Sequence, residues 1–225
     1  MILPLLFFAL FYAYPLATII GISGGAGFVA TLAEARTWRI VGFTFWQAAL
    51  STLATLVVGL PAAYLVGRHR FRGMTLLRAL TAVPFVMPTL VVAAGFNTLI
   101  GERGWLNLAL AKLNLPRLIL TGTLAAIVLA HVFYNTTIVI RLVGDYWSHL
   151  DPRLTQAART LGANPLRAFA AVTLPLLAPA VLAASLLVFM FDFTSFGVIL
   201  ILGGPRFTTL EVEIYRPPFA FFDLP

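Results

Sequence analysis

The sequence predicts an all-α, polytopic transmembrane helical bundle, and three observations carry that prediction. Of its 225 residues, 60% are hydrophobic and only 10% charged, against about 45–50% and about 25% in a soluble domain. Too little polar side chain is present to coat a water-soluble fold. Five apolar stretches each reach the roughly 20 residues that a helix needs to cross a bilayer. Those stretches are continuous rather than alternating, so helices account for them and the strands of a β-barrel do not. A soluble enzyme, a disordered tail and a coiled coil are excluded on the same grounds.

The first stretch, 2–23, has neither a basic leader nor an A-x-A exit site, so it reads as a retained span rather than a cleaved signal. The second covers about 38–66 and the third about 76–100. Pro84 and Pro88 lie one turn apart in the third. They are expected to bend it sharply, either as a moving part or as a static packing kink. Segment 101–117, GERGWLNLALAKLNLPR, is amphipathic, carries Trp105 and is expected at the outer interface. The fourth span covers about 118–140 and the fifth about 176–202. In the tail, 203–225, no further span is expected. Gly203, Gly204 and Pro205 read as a turn, and Glu211, Glu213 and Tyr215 either meet a receptor or sit in a solvated loop. Both ends read as cut. The chain is thus expected to be one membrane domain, 1–225, truncated, with a cytoplasmic loop at 145–175.

Net charge is +7. The basic residues are mostly Arg scattered through short loops, which suits anionic lipid rather than nucleic acid. Hairpin 67–75, GRHRFRGMT, holds Arg68, Arg70 and Arg72, with Arg78 just beyond. This densest basic cluster puts the hairpin, residue 1 and 141–175 on the cytoplasmic side. Lys and Arg divide almost evenly between the two sides, so the cluster decides. Without Cys there is no disulfide, thiolate nucleophile or Cys metal site, and His69, His131 and His149 are too dispersed for a metal centre.

The informative segment is Asp145–Pro179, DYWSHLDPRLTQAARTLGANPLRAFAAVTLPLLAP. Asp151-Pro152 is a helix start, an N-cap followed by proline in the first turn. That helix is expected to run to about Ala163, where Asn164-Pro165 starts another by the same chemistry. Ala158 and Gly162 are four apart and are expected to share a small-residue face. A stiff, exposed elbow between two spans suits docking, because a push on it passes into both.

Gln156-Ala157-Ala158, then Gly162 and Ala163, then Val172-Thr173-Leu174-Pro175 resembles the EAA loop of type I ABC importer permeases. Gln156 stands for the family's Glu and Val172 for its Ile. The resemblance implies a coupling helix seated in the ATPase subunit, with Gln156, Ala157, Ala158, Gly162, Ala163, Pro165, Leu174 and Pro175 as the coupling residues. It extends to Pro84-Phe85-Val86-Met87-Pro88, Arg103-Gly104-Trp105-Leu106, Leu129–Asn135, Ser195-Phe196 and Leu202–Tyr215, which look like the thiamine and ferric-iron permeases. Those proteins are similar in fusing two six-span halves, and this sequence matches the first half as far as its fifth span. The implied partners are an ATPase subunit dimer, a second permease half, an extracytoplasmic binding protein and the lipid of a prokaryotic inner membrane. The chain has no G-x-x-x-x-G-K-[ST] phosphate loop, so it is not expected to hydrolyse ATP alone; no cofactor is expected on this chain, and ATP and Mg²⁺ would sit on the partner.

Asp192 lies mid-span, where a carboxylate must face protein or water. It reads either as a residue of the substrate path or as a packing partner of His131 or Asn135. His131, Asn135 and Asn97 are open to the same two readings. Two other functions compete with transport. Ser195 with His131 and Asp192 mimics a hydrolase triad, though without a G-x-S-x-G context; and the chain also reads as a non-transporting scaffold or fragment.

Overall fold

Among residues 2–23, 29 and 31–221, which the computed structural model describes, every regular element is helical. The chain divides into two compact units, Met1–Gly42 and Phe43–Pro225. In the first unit α1 (Ile2–Phe8) and α2 (Tyr14–Ser23) are joined by a π-helical turn, Ala9–Ala13. The rod Leu3–Ile22 is long and apolar enough to cross a membrane, as the sequence predicts.

Helix α3 (Ala35–Arg68) ends in the second unit, followed by α4 (Met74–Val86), α5 (Thr89–Ile100), α6 (Trp105–Lys112) and α7 (Leu124–His149). Next come α8 (Pro152–Thr160), α9 (Pro165–Ala168), a second π turn (Phe169–Thr173), α10 (Leu174–Phe193), α11 (Phe196–Leu202) and α12 (Leu210–Phe221). Helix α7 is the shared axis of two apolar clusters. Its Ala126, Ile127 and Ala130 pack with α5 and α11; its Ile138, Val139, Val143 and Trp147 pack with α3 and α10.

Two predicted spans depart from the expectation of continuous helices. The third is two helices, α4 and the run from Thr89, bent by 105°. Pro84 lies inside α4, and the break falls at Met87, which is extended at φ −75°, ψ 143°. Pro88 causes it, because the residue before a proline is pushed out of the helical region. The fifth is broken at Thr194–Ser195, between α10 and α11, although no proline stands there.

Both π turns end two residues before a proline, Pro15 or Pro175. A helical proline lacks its N–H and its ring clashes with the carbonyl four residues back. Those carbonyls belong to residues 11 and 171, inside the widened turns, where the extra residue relieves the clash.

Arg68 Nη1 donates to the Leu150 carbonyl at 3.2 Å, tying the 69–73 hairpin and the 150–164 elbow to one end of the second unit. At the other end the Gly122 N–H donates to the Leu202 carbonyl at 2.9 Å. There Asn107 clamps the 101–118 segment: its Nδ2 donates to the carbonyls of Gly101 (2.8 Å) and Leu118 (3.0 Å), and its Oδ1 accepts from the Leu118 N–H. The tail turns at Gly204 (φ +63°). Glu211 and Glu213 then lie in the first turn of a helix, not in a solvated loop, and favour its positive end.

Candidate functional site

The elbow follows its sequence in detail. The Asp151 side chain accepts from the Arg153 N–H at 2.9 Å, and that of Asn164 from the Arg167 N–H at 2.8 Å, so short α8 and the long helical run from Pro165 to Phe193 each start on their own cap. Helix α8 stops at Thr160, three residues short of the expected Ala163. The Gly162 N–H donates to the Arg159 carbonyl and the Ala163 N–H to the Ala158 carbonyl, while Gly162 adopts φ +90°. That is a Schellman cap, with glycine where the left-handed conformation falls. Gly162 therefore lies beyond the helix and shares no helical face with Ala158, contrary to the sequence expectation.

Gln156, Ala157, Pro165, Leu174 and Pro175 are exposed, while Ala158 and Ala163 are half-buried. Leu161 is 88% and Leu166 77% exposed. Both stand in the open beside Arg159 and Arg167. At its base the elbow is held stiffly: Thr155 and Thr173 share a hydroxyl–hydroxyl hydrogen bond of 3.2 Å, and Phe169 stacks on Trp147.

The second cluster lies on α7 between the two apolar clusters. Asn135 Nδ2 donates to Asp192 Oδ1 at 2.7 Å, and Thr52 Oγ1 lies 3.4 Å from Asp192 Oδ2. Gln47 Nε2 donates to the Asp192 carbonyl at 2.8 Å. His131 sits between two hydroxyls, Nδ1 at 2.9 Å from Ser51 Oγ and Nε2 at 2.8 Å from Ser195 Oγ, with Asp192 Oδ1 at 3.4 Å. Asp192, His131 and Asn135 are thus brought together and buried, whereas Asn97 is exposed and lines a separate cavity with Glu102 and Arg103.

Ser195, His131 and Asp192 do meet, but Ser195 is only 6% exposed and both imidazole nitrogens are engaged. A serine nucleophile needs an approach for its substrate carbonyl, and this one is packed between helices.

Sequence reasoning missed the α3 half of the cluster: Gln47, Ser51, Thr52 and Thr55, a buried polar stripe at helical spacing in an apolar span. It also missed the small residues that let α3 and α7 touch. A Cβ on Gly59 would lie 2.7 Å from Val139 Cβ, and one on Gly67 would lie 2.7 Å from the Gly144 carbonyl oxygen. The spacing Gly59, Ala63, Gly67 is the small-xxx-small signal that marks such crossings.

The family model of binding-protein-dependent transport system inner membrane components matches residues 56–218. The chain is 34% identical over 189 residues to the thiamine transport system permease protein ThiP of Escherichia coli (strain K12), covering 84% of this chain and 35% of that protein. It is 33% identical over 204 residues to the protein of the same description from Brucella suis biovar 1 (strain 1330), covering 89% and 38%. To the sulfate transport system permease protein CysT of Salmonella typhimurium (strain LT2) it is 34% identical over 161 residues, covering 72% and 57%. The chain therefore spans little more than a third of the length of these thiamine-transport relatives. Among solved structures it is similar to a bacterial ABC transporter involved in the import of the acidic polysaccharide alginate, with TM-score 0.75, 16% identity, and 95% and 80% of the two chains covered. A bacterial alginate ABC transporter in complex with an alginate pentasaccharide-bound periplasmic protein gives TM-score 0.73 at 19% identity, covering 97% and 81%. At these identities the likeness is one of fold.

Proposed function

This chain belongs to the family of binding-protein-dependent transport system inner membrane components, and from that premise we propose that it forms part of the substrate pathway of an ATP-driven importer and couples it to a separate ATPase subunit. The elbow carries this reading. A capped short helix, a glycine turn, a second cap at Asn164 and two bare leucines stand where the candidate span Leu124–His149 passes to the candidate span Pro165–Phe193. An ATPase groove that receives Leu161 and Leu166 also meets Gln156, Ala157, Ala158, Gly162, Ala163 and Pro165. Closure of the nucleotide-bound ATPase dimer then moves the elbow as a body. Its motion passes through Thr155–Thr173 and the Leu174-Pro175 base into α10, so that the spans rock and the pathway opens alternately to each side. Gln156 carries no charge, so a salt bridge plays no part in its seating. ATP and Mg²⁺ are held by the partner.

The other partners in this reading are a second permease half, an extracytoplasmic binding protein and the bilayer of a prokaryotic inner membrane. Asn97 lines the outer mouth of the pathway, and Asp192, His131 and Asn135 form the polar joint beside it where the α10–α11 helix breaks. Thiamine is the cargo supported by the relatives at 33–34% identity; ferric iron is the second candidate by motif, and a sulfate permease at similar identity shows that resemblance of this degree does not choose among cargoes.

The test is capture and uptake. Full permease carrying Leu161→Asp should fail to co-purify its ATPase subunit and lose ATP-dependent uptake of labelled thiamine, with an unchanged melting temperature because Leu161 makes almost no internal contact. Undiminished capture would refute the coupling role, and uptake of ferric iron but not thiamine would correct the cargo.

A further inference from the structure

Three cavities lie in series along the end of α3, helix α4 and helix α7, a crevice crossed at Thr81 by a hydrogen bond from the Thr137 hydroxyl to the Thr81 carbonyl. Its mouth is a cavity lined by Arg68, Arg70, Arg78 and Asp145. A second cavity shares Arg78 and Asp145 and adds Arg141 and Thr81. Thr81 also lies on a third, apolar cavity whose wall includes Val58, Leu80, Leu129, Val132 and Phe133.

Four arginines, Arg68, Arg70, Arg78 and Arg141, thus line the first two cavities with a single carboxylate, Asp145. Among the described residues the Asp145 carboxylate pairs with Arg78 alone, at 3.8 Å with the two side chains 63% and 45% exposed, a contact of little strength. Arg70 and Arg141 have no ion-pair partner among the described residues. Positive charge at the mouth gives way to hydrocarbon deeper in. Along α7, Arg141 and Leu129 are twelve residues apart, about 18 Å at the helical rise. One leaflet of hydrocarbon core is about 15 Å deep, so the crevice has the length and polarity profile of one lipid.

We propose that it binds an anionic phospholipid, with the phosphate among Arg70, Arg78 and Arg141 and one acyl chain along Leu80, Leu129 and Phe133. Arginine forks match phosphate oxygens in pairs, and basic pockets between spans hold anionic headgroups. A free phosphate would use the mouth and leave the apolar wall without an occupant.

Native mass spectrometry of the full permease tests this, with palmitoyl-oleoyl-phosphatidylglycerol and the matching phosphatidylcholine supplied at equal concentration. Phosphatidylglycerol should be retained preferentially, and Arg70→Gln with Arg141→Gln should lower its affinity about thirtyfold, the attraction of two arginines for an anionic headgroup. Asp145→Asn should raise retention, a gain that misfolding does not produce. Leu129→Trp, which fills the apolar wall, should weaken the lipid. Equal retention of the two lipids would overturn the proposal. So would competition by glycerophosphoglycerol, a headgroup without chains, as strong as that of the whole lipid. A cross-link from Phe133→Cys to another permease helix, with no lipid adduct, would give the crevice to that helix instead and overturn it as well.

Discussion

At Gly162 the backbone turns through φ +90° with nothing within 4 Å of where a Cβ would stand. The glycine is there for its conformation and not for space. Gly162→Ala should therefore cost about 1 kcal/mol, the usual price of a left-handed alanine, seen as a lower unfolding midpoint in detergent; an unchanged midpoint would mean the turn re-forms another way. Asp192 is the opposite case, a residue defined by its neighbours. Asp192→Leu removes the acceptor of Asn135 Nδ2 and leaves a buried donor, a loss of about 1–3 kcal/mol. Thr55 Oγ1 has no hydrogen-bond partner among the described residues, so Thr55→Val should be neutral or stabilising in the same assay. A loss at Thr55 comparable to that at Asp192 would show that an internal water completes the cluster.

Among elements, the α3–α7 crossing depends on missing side chains. Gly67→Ala sets a methyl against the Gly144 backbone carbonyl, which cannot rotate away as a side chain would, and overpacking of this kind costs about 1–3 kcal/mol. Gly95→Ala, in α5 with no atom near its Cβ position, should instead stabilise by about 0.5–1 kcal/mol as ordinary helix propensity. Comparing the two melting temperatures separates close packing from propensity, and similar shifts for both would contradict the crossing. The breaks in α4–α5 and α10–α11 have different origins. Pro88 imposes the first locally, whereas Ser195 at the second bonds His131 at 2.8 Å and Asp192 engages Gln47, Thr52 and Asn135. That second break is therefore held by three helices at once.

For the molecule as a whole, the decisive quantity is which loops share a side. Arg68 bonded to Leu150 and Gly122 bonded to Leu202 put loops of the second unit at alternating ends, in the order that the charge pattern predicts. Because the chain has no Cys, single cysteines report sidedness directly. His69→Cys and Leu161→Cys should react with a membrane-impermeant maleimide only after the cells are opened, and Lys112→Cys and Arg206→Cys before. Labelling of positions 69 and 161 on intact cells would invert the topology and end the coupling role. The spans themselves were readable because apolar length is a property of consecutive residues. The elbow was readable because caps, prolines and glycine act within one turn of themselves.

What the sequence determined alone was thus local: where the long apolar stretches fall, the caps at Asp151 and Asn164 and the proline that breaks the third span, though it missed the end of α8 before Gly162. The tertiary structure decided the rest. It broke the fifth span where no residue type announces a break, and withdrew Asp192 and His131 into a cluster spread over residues 47 to 195. The reason is physical: the energy of a buried polar group depends on partners from other helices, and their register is fixed only when the helices have packed.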